Sequence, residues 1–190
     1  MSAVFDPVHV AQRTFRALLA ALAHPCREVT IDEELGAPSE LGPALAAAAL
    51  TLLDRDTAVW LDPARIAARA WLAARTGCRF VTAREQAQFG IILEAETLSP
   101  LARWPAGTAE DPEDSATLLV RVRDFDGTFE VALTGPGIES EASLGSVSLT
   151  RRFWTEWMDN VSRYPLGVDC FLFTSTGVVG LPRTTRVAPA

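Results

Sequence analysis

Lysine is the residue type that this sequence lacks altogether. All 17 basic side chains are arginine, and they face 24 acidic ones in a chain of 190 residues. Without lysine the chain cannot form a Schiff base with pyridoxal phosphate or supply the lysine of a P-loop. The formal charge of -7 disfavours non-specific attraction to nucleic acid or to an anionic membrane. We therefore expect no covalently bound cofactor, and neither nucleic acid nor a membrane as a partner.

Cysteine, histidine and long apolar runs are also scarce. Cys26, Cys78 and Cys170 are odd in number and far apart, which is typical of free thiols in a reducing compartment. With only two histidines, no spacing matches a zinc site, so no structural metal is expected. The longest apolar stretch, residues 44–53, is well short of the roughly 20 residues that span a bilayer. Because the N-terminus also lacks a secretion signal, we expect a cytoplasmic protein.

The chain is rich enough in hydrophobic residues, at 48%, to fill the core of one domain over 1–190. A first helix is predicted from the Asp6-Pro7 capping pair to His24, which precedes Pro25. Apolar periodicity and turn residues predict the other elements. These are helices over 43–53, from Asp62-Pro63 to Gly77 and from Leu149 to Pro165, and strands over 57–61, 78–81, 89–93, 116–122, 129–135, 168–174 and 177–181.

The order of these elements predicts an α/β fold. Helices alternate with strands early, and Asp126-Gly127 predicts a β-hairpin that joins 116–122 to 129–135. A mixed sheet flanked by helices on both faces accommodates both patterns. Trp154 and Trp157 of the last helix, with its other apolar side chains, cannot all face one core, so we expect some at a subunit contact.

The closing segment "LPRTTRV" is the first candidate site. Arg183, Thr184, Thr185 and Arg186 place two guanidinium groups and two hydroxyls directly after an apolar strand. Arginine presents a planar fork of donors that suits phosphate or phosphonate oxygens. Polar residues after a proline are equally typical of a strand end that meets water. The sequence leaves anion binding and a solvated strand end open.

A second candidate is "LTGPGI", in which Gly135 and Gly137 follow a predicted strand. Glycines let backbone amides approach an anion closely, as phosphate-binding loops do. A phosphate fingerprint would lead straight into a helix, whereas the acidic segment "ESEAS" follows here. The sequence favours a plain turn and leaves phosphate binding as the alternative.

Each of the other polar candidates has one functional interpretation, as a cation ligand or an acid or base, and one structural interpretation. Asp111, Glu113 and Asp114 could hold a divalent cation, although an acidic surface loop is the simpler interpretation. His24 and Asp169 could act as acid or base, or could serve as caps and hydrogen-bond partners at element boundaries. No Ser/His/Asp, Cys/His or two-carboxylate pattern emerges. Nothing in the sequence indicates an enzyme that is active alone.

Several stretches, taken in their order along the chain, resemble the PhnH family, a subunit of the bacterial carbon-phosphorus lyase system for phosphonate use. They are "FRALLAALAHP" (15–25), "LTLLDRDTAVWL" (50–61), "GTAEDPEDSATL" (107–118), "LTGPGI" (133–138), "NVSRYPLGVD" (160–169) and "LPRTTRV" (181–187). The family usually has glycine where this chain has Cys26. We therefore expect the backbone freedom of glycine to be absent or unnecessary there.

The resemblance implies a fold like the large domain of pyridoxal-phosphate-dependent transferases, without a working cofactor site, adopted as a homodimer. It also implies a core complex with the sister subunits PhnG, PhnI and PhnJ. In that system a phosphonate displaces adenine from a nucleoside triphosphate. The chain would support the synthesis of alpha-D-ribose 1-methylphosphonate 5-triphosphate from ATP and methylphosphonate, with the chemistry mainly in a sister subunit.

Three functions remain as alternatives. The first is an accessory subunit that docks its partners, in which Arg183, Thr184, Thr185 and Arg186 form either a pocket for a phosphorylated ligand or a docking edge. The second is a purely structural assembly subunit with no ligand site of its own. The third, which the lack of a catalytic constellation disfavours, is an independent small-molecule transferase.

Overall fold

Two β-sheets and four helices build the fold in the computed structural model, which describes residues 6–98, 100–126 and 130–188. The helices are α1 (Pro7–Ala23), α2 (Pro43–Leu52), α3 (Ile66–Thr76) and α4 (Arg151–Ser162). The strands are β1 (Val29–Thr30), β2 (Ala58–Leu61), β3 (Arg79–Phe80), β4 (Phe89–Ile92), β5 (Thr117–Arg121), β6 (Glu130–Thr134), β7 (Ala142–Gly145), β8 (Asp169–Phe173), β9 (Gly177–Leu181) and β10 (Arg186–Val187).

The larger sheet has seven strands in the order β1-β9-β8-β5-β4-β2-β3. Five neighbouring strands, from β8 to β3, are parallel, while β9 is antiparallel to both β8 and β1. The smaller sheet is antiparallel, in the order β10-β6-β7. The predicted α/β class and mixed sheet are confirmed.

Side chains of the central strands alternate between two cores, because successive residues of a strand point to opposite faces. In β5, Leu119 joins the core under α1, α2 and α3, whereas Leu118 and Val120 join the core under α4 and the small sheet. Phe171 and Cys170 of β8 divide in the same way. Helices therefore cover both faces of the sheet, as the sequence predicts.

The first two helices follow directly from their sequences. The Asp6 side chain accepts a hydrogen bond from the backbone N–H of Val8 at 2.9 Å, and Pro7 takes the first helical position, as predicted. Residues 44–49 of α2 are all buried, since this alanine-rich helix packs against α1 and α3 and shares a core with the larger sheet. Across the described residues, no helix has the length and apolarity that a membrane span requires.

Three predicted helix boundaries, in two helices, are wrong. The third helix begins at Ile66, because the Asp62 side chain accepts from the backbone N–H of Ala64 at 2.9 Å and stabilises a separate turn. The last helix begins at Arg151, where the Thr150 hydroxyl accepts from an amide of the first turn, and it ends at Ser162 rather than at the proline.

The predicted hairpin is also wrong. Strand β5 pairs with β4 and β8 in the larger sheet, whereas β6 pairs with β7 and β10 in the smaller one. Strand β5 is buried at its centre on both faces, as a parallel strand in a covered sheet must be. The turn at Asp126-Gly127 lies partly outside the described residues, and β7 had no counterpart in the sequence prediction.

The two tryptophans of α4 do not form the subunit contact that the sequence predicts. Trp154 is 3% exposed and Trp157 is fully buried, so both already belong to the core of their own chain. Phe153 packs against both rings, at centroid distances of 5.0 and 6.1 Å. The helix can bury all three rings because it is covered by the larger sheet and by β10.

The cysteines are free thiols, as expected, but Cys26 differs from the prediction for its backbone. Its φ of +69° lies in the left-handed region, which costs a residue with a Cβ about 1–2 kcal/mol. The turn thus needs a glycine-like conformation even though the sequence supplies cysteine. Burial raises the pKa of the Cys26 thiol to about 11 and raises the pKa of Cys170 well above its usual value. Both thiols therefore stay protonated at neutral pH and are poor nucleophiles.

Candidate functional site

Arg183 is bound on every side by its own chain. Its Nε donates to both carboxylate oxygens of Asp169, at 3.2 and 3.1 Å, and one Nη donates to Asp169 Oδ2 at 2.5 Å and to the Ser115 hydroxyl. The other Nη donates to the carbonyls of Pro112 and Pro165, at 3.1 and 3.2 Å. We call Arg183 and these four partners the Arg183 clasp. The five N–H donors of the guanidinium are thereby all engaged.

The Arg183 clasp lies at the amino ends of the parallel strands. Asp169 is the first residue of β8, and Ser115 lies two residues before β5. The clasp ties the loop before β5 and the turn after α4 to the end of β9. An external anion could reach the Arg183 guanidinium only if these bonds broke. The structure gives Arg183 a structural role, and anion binding there stays a prediction.

The other residues of the closing motif diverge. Thr185 is fully buried, and its carbonyl accepts a hydrogen bond from Trp157 Nε1 at 2.9 Å. Thr184 is half-buried, while Arg186 is exposed in β10 and pairs with Thr134 of β6. The four residues therefore differ in their burial and in their contacts. The motif is not a plain solvated end either, because it forms the tenth strand.

The two glycines of "LTGPGI" face protein backbone. A Cβ built on Gly135 would lie 2.8 Å from the Thr184 carbonyl oxygen, and one built on Gly137 would overlap the Ala23 carbonyl oxygen. This arrangement brings the glycine loop against the closing motif and against the end of α1. A side chain at either glycine is therefore excluded by packing, and anion binding by the backbone amides of this loop stays a prediction.

The remaining sequence candidates do not assemble into a catalytic group. Asp111, Glu113 and Asp114 are exposed in and beside a short 3-10 turn, and within the described ranges no three His, Cys, Asp or Glu side chains are placed to hold a metal ion. His24 is exposed at the end of α1. Asp169 is committed to the Arg183 clasp. The structural interpretation fits each of them.

A cleft runs along the opposite edge of the sheet, at the carboxyl ends of the parallel strands. Two cavities of about 480 and 410 Å³ adjoin there and share Arg121 and Ser175. The first lies against residues 34–39 and the start of α2, and the second lies beside Glu94 and Arg123. Open α/β sheets bind their ligands at this edge. We call the two cavities together the carboxyl-edge cleft.

Arg121, the last residue of β5, is the best-placed group in the carboxyl-edge cleft. Its Nη1 donates to the carbonyls of Ser39 at 3.1 Å and Glu40 at 2.5 Å, which fixes the guanidinium. Its Nε and Nη2 make no hydrogen bond among the described residues. Arg123 is 75% exposed in its side chain and pairs loosely with Glu96 at 3.5 Å. An immobilised fork with free donors is suited to an oxyanion such as a phosphate or phosphonate.

Sequence reasoning missed this cleft. Its arginines end or follow apolar strands, as Arg183 does, and a single sequence does not reveal at which edge of the sheet a strand ends. That assignment requires the parallel pairing of β4, β5 and β8.

The fold and the cleft define an α/β protein with an open mixed sheet and arginines at its carboxyl edge. Residues 2–188 match the family described as Bacterial phosphonate metabolism protein (PhnH). The chain is 33% identical over 184 residues to the alpha-D-ribose 1-methylphosphonate 5-triphosphate synthase subunit PhnH of Rhizobium meliloti (strain 1021), which covers 96% of this chain and 92% of that protein. It is 33% identical over 176 residues to the "Putative C-P lyase subunit protein HtxG" of Stutzerimonas stutzeri, covering 93% and 85%. The chain belongs to the PhnH family.

Proposed function

We propose that the chain is an accessory subunit of a carbon-phosphorus lyase system in phosphonate catabolism. In this role it supports synthesis of alpha-D-ribose 1-methylphosphonate 5-triphosphate from ATP and methylphosphonate, together with PhnG, PhnI and PhnJ subunits in the cytoplasm. The observation that carries the proposal is the similarity over nearly the full length to a named subunit of that synthase. A chain without lysine and with both histidines at exposed positions fits an auxiliary role better than independent catalysis.

We propose that this subunit helps to bind a phosphorylated ligand in the carboxyl-edge cleft. Arg121 is fixed by two carbonyls and keeps donors free, whereas Arg183 has none to spare. The five adjacent parallel strands also support the proposed likeness to the large domain of pyridoxal-phosphate-dependent transferases. Because the chain has no lysine, that likeness would extend to the fold and not to covalent cofactor binding.

Co-purification tests the assembly. A tagged chain from cells that grow on methylphosphonate as phosphorus source is expected to recover the three sister subunits in stoichiometric amounts. Arg121→Gln is expected to retain them and to lower turnover of methylphosphonate by the assembly about tenfold or more, as loss of a charged hydrogen bond does. Arg186→Gln, which changes an exposed arginine outside the cleft, is the matched control.

Each result has a distinct meaning. Recovery of the tagged chain alone would contradict the accessory role. Unchanged turnover in the Arg121→Gln assembly would leave the purely structural alternative, which also requires that calorimetry detect no binding of nucleotide or phosphonate to the chain. If only Arg186→Gln lowered turnover of methylphosphonate, the ligand site would lie at the closing motif and not in the carboxyl-edge cleft.

We also propose that the chain forms a homodimer through α1. Val8, Phe15 and Leu19 are 63%, 48% and 51% exposed, and their spacing of seven and four residues puts them on one side of the helix. A two-fold axis near Phe15 would set this stripe against its own copy, as isologous interfaces require. Light scattering is expected to give twice the 20.5 kDa chain mass, and Phe15→Arg is expected to give the monomer. A monomeric unsubstituted chain at micromolar concentration would contradict the proposal.

A further inference from the structure

A small cavity of about 80 Å³ lies where the carboxyl ends of β2 and β4 meet. From β2 the chain continues outward to β3, whereas from β4 it continues in the other direction to β5. Neighbouring parallel strands whose connections diverge in this way create a crevice, which is the usual ligand site of an open α/β sheet. The polar and aromatic side chains in its lining are Trp60, Asp62, Arg65, Arg84, Glu94, Thr97 and Trp104.

Arg84 is the cation of this cavity whose guanidinium makes no hydrogen bond to a described residue. Its guanidinium carbon lies 3.9 Å from the centroid of the Trp60 ring, and Trp60 is itself held edge-on by Trp104 at 5.7 Å. Arg84 is half-buried, yet its guanidinium donates no hydrogen bond to any described residue. A guanidinium held over an aromatic face keeps its N–H donors available for hydrogen bonds.

A second donor in the same lining is also without a partner. Trp104 is 3% exposed, and its Nε1 makes no hydrogen bond among the residues that the structure describes. Buried N–H groups are rarely left unpaired, because the lost hydrogen bond to water is not replaced. Arg84 and Trp104 thus bring two unpaired donor groups to the residues that line one cavity, and such donors are suited to an acceptor that comes from outside the chain.

The acidic residues of the cavity are already neutralised or engaged. Glu94 forms an ion pair with Arg65, and Asp62 accepts from the backbone N–H of Ala64 at 2.9 Å. The formal charges of the lining therefore balance, and the N–H donors of the Arg84 guanidinium are the groups that remain without a partner. A balanced lining favours a singly charged ligand over a polyanion such as a triphosphate.

The size of the cavity limits the ligand further. A cavity of about 80 Å³ is about half the size of a cavity of about 150 Å³ that binds benzene, so it is suited to a ligand of a few heavy atoms. A tetrahedral oxyanion of four or five heavy atoms occupies a comparable space, whereas a nucleoside does not.

We propose that this cavity is a subsite for a small tetrahedral oxyanion, bound through the Arg84 guanidinium. Inorganic phosphate and a small phosphonate share the chemistry that the site recognises. The inference goes beyond the proposed function, since it concerns binding by the isolated chain and does not require any sister subunit.

Calorimetric titration of the purified chain with inorganic phosphate, and separately with methylphosphonate, tests the subsite at constant ionic strength. At least one probe is expected to bind saturably. Arg84→Gln is expected to weaken that binding about tenfold or more, since a charge-assisted fork is lost. Arg84→Lys, which keeps the charge without the fork, is expected to bind with intermediate affinity. Arg55→Gln removes an exposed arginine elsewhere and is expected to bind like the unsubstituted chain.

The two arms distinguish the source of the oxyanion, because the probe that binds more tightly identifies it. No saturable binding of either probe would overturn the proposal, and so would unchanged affinity in Arg84→Gln. An equal loss in Arg84→Gln and Arg55→Gln would also overturn it, since that result indicates diffuse attraction. Thermal unfolding of Arg84→Gln without ligand shows whether the variant is folded. None of these results depends on co-purification, so failure here leaves the accessory role standing.

Discussion

The Arg183→Ala protein is expected to lose about 3 kcal/mol of unfolding free energy. The substitution leaves the Asp169 carboxylate without its cation and the Pro112 and Pro165 carbonyls without their donor. Breaking a buried ion pair by removing one partner costs about 3–5 kcal/mol. The lower value applies here because the side chains of Arg183 and Asp169 are 13% and 25% exposed, so water partly replaces the lost contacts.

The same motif supplies the control for this prediction. Arg186 is exposed three residues further on, and Arg186→Ala is expected to change the unfolding free energy by no more than about 0.5 kcal/mol. Equilibrium unfolding in urea, followed by tryptophan fluorescence, measures both variants. For a chain of this length, 3 kcal/mol corresponds to a fall in melting temperature of about 6–12 °C.

The comparison separates a structural role for Arg183 from an anion-binding one. An anion-binding arginine is usually a source of repulsion in the free protein, so its removal would leave stability unchanged or raised. An Arg183→Ala protein as stable as Arg186→Ala would therefore contradict the Arg183 clasp. Arg183→Lys is expected to be intermediate, because an ammonium group cannot reproduce the planar fork that reaches four partners.

The elements of the fold were largely predictable, because local chemistry determines them. The Asp6-Pro7 pair begins α1 as predicted, and the runs at 57–61 and 168–174 contain β2 and β8. The pairing of strands was less predictable. Strands β5 and β6 are consecutive and flank a turn-forming pair of residues, but they lie in different sheets. Sequence proximity favours a hairpin, whereas burial of β5 on both faces requires parallel neighbours that come from distant segments.

The candidate site was less predictable than the fold. Arg183 and Arg121 both occur at the end of an apolar strand, and each guanidinium is a planar fork of donors suited to an oxyanion. They differ in their position on the sheet, since Arg183 lies at the amino ends of the parallel strands and Arg121 at the carboxyl ends. The partners that saturate Arg183 come from residues 112–115, 165 and 169, and no local pattern connects these segments. Cys26 illustrates the same limit, because its positive φ is set by a turn that cysteine does not favour.

Substitution of Gly137 is expected to have a second large effect on stability, and it tests whether the glycine loop (residues 133–138) packs against the end of α1. The φ of Gly137 is +83°, and a methyl group there would overlap the Ala23 carbonyl oxygen and lie 2.9 Å from Pro25 Cδ. The left-handed backbone costs alanine about 1–2 kcal/mol, and forced overpacking costs about 1–3 kcal/mol more. Gly137→Ala is therefore expected to lower the unfolding free energy by about 3 kcal/mol or more.

Gly36 provides a control with the same backbone and none of the crowding. Its φ is +60°, and no heavy atom lies within 4 Å of a Cβ built there. Gly36→Ala is expected to cost only the left-handed term, about 1 kcal/mol. Urea unfolding of both proteins gives the difference, which reports the contact between the glycine loop and the end of α1. If Gly137→Ala is no less stable than Gly36→Ala, the loop does not pack against α1 and the space beside it is open to a ligand, as the phosphate-loop interpretation requires.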